Sequence, residues 1–385
     1  MDYLLSIPFL IAALVAAGFL YQWLGAHYDR LRYAVGGRWI DIGAGQRIYL
    51  LEKGSGEATV LFEAGIAATN PNWFHIQETV SRFAATASYD RSGLGWSSPS
   101  RTARTPGNLA AELHELLQGA GLKPPFILVG HSFGGLVMRQ FALMYPDEVV
   151  SVVLVDPMRP EEWPPLDPAK QATIDRVLKL SSFAIPIAQL GLARLAVTSL
   201  LCRSGRIADR LAGIGGERGM HVLGRIKGEV DKMPREVWPI VAAHWSRPNY
   251  YAGMRSHVAA VPASMREMLD SEPIRGIPVL LLTPGKSSPL SEDCLQKIGD
   301  TVKQVIAPAS AHWIHLDEPD LVIQSIREMV TAATGVTAVM GIAAAPSEAA
   351  VAVGRVAFSP TRVPADWSSS VGESNAAFQS IAEST

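Results

Sequence analysis

Gly130-His131-Ser132-Phe133-Gly134 is the segment of this 385-residue chain with the clearest capacity for chemistry. It has the pattern G-x-S-x-G, and the context matters more than the pattern. An apolar run, Phe126–Val129, precedes it, and residues at helical spacing from Leu136 to Tyr145 follow. A serine in a sharp strand-to-helix turn has its hydroxyl lifted into the open, and small neighbours let other chain segments pass close by. The N-terminus of the following helix favours negative charge developing beside it. Such a hydroxyl attacks a carbonyl only with a base to take its proton. Among the nine histidines, His27 follows the apolar N-terminal run, His114 sits on an amphipathic helix, and His131 adjoins the serine, where its ring must point elsewhere and suits pocket lining. His75 lies near Trp73-Phe74, and His221, His244 and His257 belong to a helix-rich middle segment. Ala311-His312-Trp313-Ile314-His315 remains, in a loop between the last strand and the last helix, which makes His312 and His315 the candidates.

The elements around these residues alternate. Arg47–Glu52, Thr59–Glu63, Ala87–Tyr89, Phe126–Val129, Val149–Val155, Val279–Thr283 and Lys303–Ile306 read as strands. A helix begins at Thr105-Pro106, carries Leu109, Leu113, Leu116 and Leu117 on one face, and stops at Gly121. Val149–Val155 is apolar almost throughout, as in a strand buried on both faces of a parallel sheet. The pattern predicts a doubly wound, mostly parallel α/β sheet with a helical cap insertion. The expected organisation is an anchor over 1–29, a first core part over 30–156, the cap over 157–275, a second core part over 276–334, and a low-complexity, disordered tail over 335–385.

With these elements in order, the sequence resembles the α/β-hydrolase fold family over roughly residues 38–333. Ala64-Gly65-Ile66 follows the third strand, where the family places its second oxyanion donor, and Ala64 replaces the more usual His. The resemblance implies an oxyanion hole built from the backbone N–H groups of Ile66 and Phe133. Asp90-Arg91-Ser92-Gly93-Leu94-Gly95-Trp96-Ser97 is similar to the family's D-x-x-G-x-G-x-S loop, read here as a turn pinned by Asp90 and Arg91. The family's base position falls on His312, ahead of Pro319, which leaves His315 a structural role. The usual acid position after the seventh strand reads Thr283-Pro284-Gly285-Lys286 and holds no carboxylate. The alternative position at the end of the sixth strand is Asp156, with Asp293 and Glu292 as the other candidates. Trp163 and other cap aromatics are candidates to line a substrate pocket, alongside His131, or to form the core of the cap itself.

Ser132, His312 and Asp156 together imply hydrolysis of an ester through an acyl-enzyme, with no metal or other cofactor. Amide, lactone or carbon–carbon bond hydrolysis by the same triad, and a non-catalytic binding protein on the same fold, are the alternatives. A serine nucleophile argues against haloalkane dehalogenase and epoxide hydrolase chemistry, where the family uses Asp. A net charge of −2 gives no reason to expect nucleic acid. Cys202 and Cys294 form no metal-type spacing and read as two reduced thiols, with a single disulfide as the alternative. Tyr3–Leu24 contains no charged residue, enough to cross a bilayer core of about 30 Å as a helix. Tyr21 and Trp23 suit the headgroup level, and Arg30, Arg32 and Arg38 follow, so the reading is a membrane anchor with the catalytic part in the cytoplasm.

Overall fold

The structure is a computed structural model, and it describes residues 2–163, 167–202 and 228–335. The expected tail over 335–385, beyond Gly335, lies outside the described residues. So does residue range 203–227 of the expected cap.

Helix α1 (Asp2–Tyr33) precedes the sheet strands β1 (Arg38–Asp41), β2 (Arg47–Lys53) and β3 (Thr59–Glu63). Then come α2 (Phe74–Val80), β4 (Ala85–Asp90), α3 (Pro106–Ala120), β5 (Phe126–His131), α4 (Phe133–Met144) and β6 (Val149–Val155). Among the described residues of the middle segment, four helices follow: α5 (Pro168–Gln189), α6 (Leu192–Cys202), α7 (Trp238–Trp245) and α8 (Pro248–Leu269). The chain returns to the sheet with β7 (Val279–Pro284), α9 (Glu292–Gln296), β8 (Val302–Ala307), α10 (Ile314–Asp317) and α11 (Pro319–Thr334). The eight strands form one sheet in the order β1-β2-β4-β3-β5-β6-β7-β8. The β1–β2 and β2–β4 pairings are antiparallel and the rest are parallel.

Alternation along the strands divides the core. Leu61, Leu128, Leu154 and Leu281 face α3 and α4, where Leu113, Leu116 and Phe141 cover them. Phe62, Val129, Val155 and Leu282 point to the other face, against Trp73, Ile76, Val322 and Ile326. Both faces are therefore buried, which explains the apolar runs of β5, β6 and β7. Helix α3 ends at Gly121, whose φ of 75° places it in the left-handed region. Thr105 occupies the cap position before α3, but its side chain makes no capping hydrogen bond; its carbonyl accepts from Leu109 N at 3.0 Å. In this architecture the residues just beyond the C-terminal ends of β3, β5, β6 and β8 gather at one edge of the sheet.

Candidate active site

Ser132 stands between β5 and α4 with φ 54° and ψ −122°, a backbone region rarely occupied by residues other than glycine. Its flanking glycines are required by close approach. A Cβ on Gly130 would lie 2.5 Å from the Gly134 carbonyl oxygen, and one on Gly134 would lie 2.6 Å from the carbonyl oxygens of Glu63 and Ala64. The turn is tied to β6 and to the segment just after it: Ser132 N donates to Val155 O at 3.1 Å, and Met158 N donates to Ser132 O at 3.2 Å.

Strand register does the rest. His131 pairs with Val155 across β5 and β6, so the next residues, Ser132 and Asp156, emerge side by side at the same level. Asp156 also has positive φ, 41°, and its N–H donates to Leu282 O at 2.9 Å. Its carboxylate accepts from His312: Nδ1 to Oδ2 is 2.6 Å, between two half-buried side chains separated by 156 residues in the chain. A proton held on Nδ1 leaves the Nε2 lone pair free to act as a base. Among the described residues, neither the Ser132 hydroxyl nor His312 Nε2 has a hydrogen-bond partner. In enzymes such contacts commonly tighten only when substrate binds. The loop carrying His312 is stapled by carboxylates: Glu318 accepts from Ala309 N at 2.8 Å and from Ser310 Oγ at 2.7 Å. Asp293 and Glu292 lie exposed in the first turn of α9, and His312 is paired with neither.

His131, a candidate for pocket lining, is 1% exposed. Its Nε2 donates to His312 O at 2.9 Å, and its ring lies 4.3 Å from that of His315 and 4.7 Å from that of His312. Its contacts are therefore with the back of the loop that carries His312. Burial pushes its pKa well below the usual histidine value, and His315 and His312 push in the same direction. His315 is likewise buried and tilted against Trp73 at 4.8 Å. Burial, His312 and Lys232 lower its pKa to about 3, so it stays neutral and structural. Trp163 is 2% exposed and packs with Phe133, Met158, Ile174 and Met265, in the cluster that joins the middle helices to α4.

The loop after β3 lies against the serine, since a Cβ on Gly65 would be 3.1 Å from His131 Nδ1 and 3.5 Å from Ser132 Cβ. Arg91, expected to pin a structural turn, also holds this loop from behind. Its guanidinium donates to Gly65 O, its Nε is 3.3 Å from Glu63 Oε1, and its Cζ lies 5.5 Å above the Phe133 ring. Tyr89 Oη donates to the same Glu63 carboxylate. Asp90 pins the neighbouring turn, accepting from Trp96 N and from Asn70 N at 3.0 Å each. The one signal in the sequence for the Arg91 contact is a basic residue directly after a strand that ends Ser88-Tyr89-Asp90. A cavity of about 130 Å³ lies elsewhere, lined by residues that include Arg139, Met158, Glu162 and Ile298 and none of Ser132, Asp156 or His312.

Comparison with known proteins agrees with this architecture. A family model described as the alpha/beta hydrolase fold matches residues 58–180. The uncharacterized protein YqjL of Bacillus subtilis is 34% identical over 105 residues, 27% of this chain and 42% of that one. An AB hydrolase superfamily protein of Gibberella zeae is 33% identical over 120 residues, 30% of this chain and 37% of that one. These matches span about two fifths of the length of the curated relatives. The solved structure of the epoxide hydrolase CorEH superposes with a TM-score of 0.56 at 16% identity, covering 77% of this chain and 98% of that one. The chain is an α/β-hydrolase-fold protein.

Proposed function

We propose that the protein is a serine hydrolase acting on the ester, or a related acyl bond, of a small molecule through an acyl-enzyme intermediate. The observation that carries this reading is the 2.6 Å contact between His312 Nδ1 and Asp156 Oδ2, made beside the strained turn that presents Ser132. Ser132 Oγ attacks the substrate carbonyl while His312 Nε2 takes its proton. Asp156 holds the imidazole in the tautomer with Nδ1 protonated and stabilises the imidazolium that forms. The oxyanion is received by the backbone N–H groups of Ile66 and Phe133, the second at the first residue of α4, where helix N–H groups are unpaired. His312 then returns the proton to the leaving oxygen, and water repeats the sequence in reverse. Serine at the nucleophile position sets this chain apart from the carboxylate-based members of the fold.

In this reading α1 anchors the site at a membrane. Ile7–Tyr33 is long and apolar enough to span a bilayer and is almost wholly exposed. Its folded contacts support an anchor that is retained rather than removed. Asp29 Oδ2 pairs with Arg194 Nη1 at 2.5 Å, and Gln22 Nε2 donates to Ser246 O at 3.0 Å. The arginines after the run favour a cytoplasmic site.

The test is labelling by a fluorophosphonate probe, read by intact mass. Wild type should gain one adduct and hydrolyse short-chain esters, and Ser132→Ala should remain folded with neither property. Removing a triad nucleophile costs roughly 10⁶ in kcat in a serine protease. Wild-type turnover in folded Ser132→Ala would overturn the assignment. An unlabelled, inactive wild type would favour the binding-protein reading.

A further inference from the structure

The middle helices leave one face that a water-soluble cap would not. Helix α5 packs Ile174 and Val177 into the cluster beneath it. Its other face carries Leu180, Phe183 and Ile187, which are 61%, 60% and 46% exposed. These residues recur at i, i+3 and i+7, so they form one apolar stripe where charged side chains are normally found. At Leu190-Gly191 the chain turns sharply, and α5 and α6 are bent by 96°. Leu192 and Leu195, 54% and 44% exposed, continue the apolar surface onto α6. From Leu180 to Ala193 no residue is charged, whereas Asp175, Arg176 and Lys179 occupy the turn before it.

The position of this corner is defined by α1. The face that α1 turns toward the middle helices is Gly18, Gln22, Gly25 and Asp29, at spacings of four, three and four. A Cβ on Gly18 would lie 2.7 Å from Leu190 O, one on Gly191 would lie 2.6 Å from the Tyr21 ring, and one on Gly25 would meet Arg194 Nε at 2.6 Å. Helix α6 thus begins beside residues 18–21 of α1 and is clasped to residues 22–29 by Arg194, which is buried and bonded to both Gln22 and Asp29. If Tyr21 and Trp23 mark the headgroup level, the Leu190 carbonyl beside Gly18 lies about 5 Å deeper along a helix rising about 1.5 Å per residue. That depth matches the roughly 5–10 Å by which interfacial helices bury their apolar faces.

We propose that the α5–α6 corner is a second membrane contact: it inserts into the acyl boundary of the same bilayer that α1 crosses, with Leu180, Phe183, Ile187, Leu192 and Leu195 in lipid. The occupant of this face is lipid rather than a second protein because the face is continuous with the apolar surface of α1 at the same level. The corner holds the middle helices, and through the Trp163–Phe133 cluster the roof of the site, at a fixed height above the bilayer.

This inference rests on the reading of α1 as a membrane anchor, and the experiment separates the two. In the full chain with Cys202→Ser and Cys294→Ser, an environment-sensitive fluorophore is attached to Leu14→Cys, Phe183→Cys or Leu192→Cys, one at a time. Each protein is reconstituted in phosphatidylcholine vesicles containing nitroxide-labelled lipids, and the same fluorophore on native Cys294 serves as the water-exposed control. Fluorophores at 183 and 192 should lose about half of their emission to nitroxides near the headgroup and less to nitroxides near the chain end. The fluorophore at 14 should show the opposite order. Quenching at 14 with water-like emission at 183 and 192 would overturn the inference and leave the anchor standing. Blue-shifted emission at 183 and 192 without quenching by lipid would mean that protein covers the corner, and would overturn it too. No quenching at any position would remove the anchor and the inference together.

Discussion

Replacing Asp156 by Asn isolates the proposed triad acid, for which the sequence alone leaves other candidates open. Asn retains the shape of the side chain, and it tolerates the positive φ of 41° that this position requires. Its amide can donate to Nδ1, which favours the imidazole tautomer protonated on Nε2, the nitrogen that must accept the serine proton. The substitution removes a 2.6 Å hydrogen bond to a carboxylate in a half-buried pair, at the short end for a charge-assisted bond. The equivalent change in a serine protease lowers kcat roughly 10⁴-fold, about 5.4 kcal/mol of transition-state stabilisation, and the same geometry implies the same order here. The assay pairs kcat per folded molecule on a short-chain ester with Tm, for Asp156→Asn, Asp293→Asn and Glu292→Gln. The first should lose activity with a small change in Tm, and the others should stay near wild type because their carboxylates are exposed in α9. Near-normal kcat in folded Asp156→Asn, with collapse in Asp293→Asn, would refute the reasoning and move the acid to the loop after β7.

Arg91→Lys should lower kcat ten- to a hundredfold with KM nearly unchanged, a partial loss of one proposed oxyanion donor, whose full removal costs about 10²–10³. A drop in Tm with kcat per folded molecule intact would make Arg91 merely structural. Acid should destabilise the fold from about pH 6.5 downward. His315 and His244 are held near a pKa of about 3 by burial, so the unfolded chain binds more protons than the folded one between those values. Each contributes a slope of about 1.4 kcal/mol per pH unit, present above the unfolded pKa and lost as pH falls. Asp90, raised to about 6 by burial, acts in the opposite direction between its unfolded value and 6 and offsets part of the loss. Denaturant titrations at pH 7 and pH 5 should show the decrease, and His315→Gln should lessen its slope by about 1.4 kcal/mol per pH unit while the His244 contribution remains; an unchanged slope in that variant would place the titration elsewhere.

The elbow was readable because its determinants are local: an apolar strand, small residues around a serine, and a helix start within a few positions. The place of Asp156 just past β6 was readable for a similar reason, since an apolar run leads directly to it, whereas its level beside Ser132 comes from the register of His131 with Val155. The short elements were not, and β1, with four residues, and α2, with seven, are too brief to show a period. The place of His131 was not readable either. Its hydrogen bond is to a carbonyl 181 residues away, and adjacency to Ser132 suggested the pocket rather than the loop behind it. In α1 the charge-free run was evident, whereas the polar stripe through Gln22 and Asp29 acquires meaning only when Arg194 is seen to meet both.

Buried polar groups explain how the site can be rigid although its parts come from distant loops. A loop that must present a backbone N–H needs its adjoining carbonyl fixed, because the two share a peptide plane. Gly65 O and Ile66 N belong to one such plane, and the Arg91 guanidinium holds the carbonyl end of it. Arg91 could not remain buried without a counter-charge, and Glu63, at the end of the neighbouring strand, supplies it. The same device recurs on the base side with neutral groups. His131 donates to the carbonyl of His312 itself, and burial keeps the ring uncharged beside the imidazole that must become charged in the proposed reaction. A second cation at that position would oppose formation of the His312 imidazolium. A neutral, buried His131 therefore fixes the backbone of the proposed base without competing for its proton.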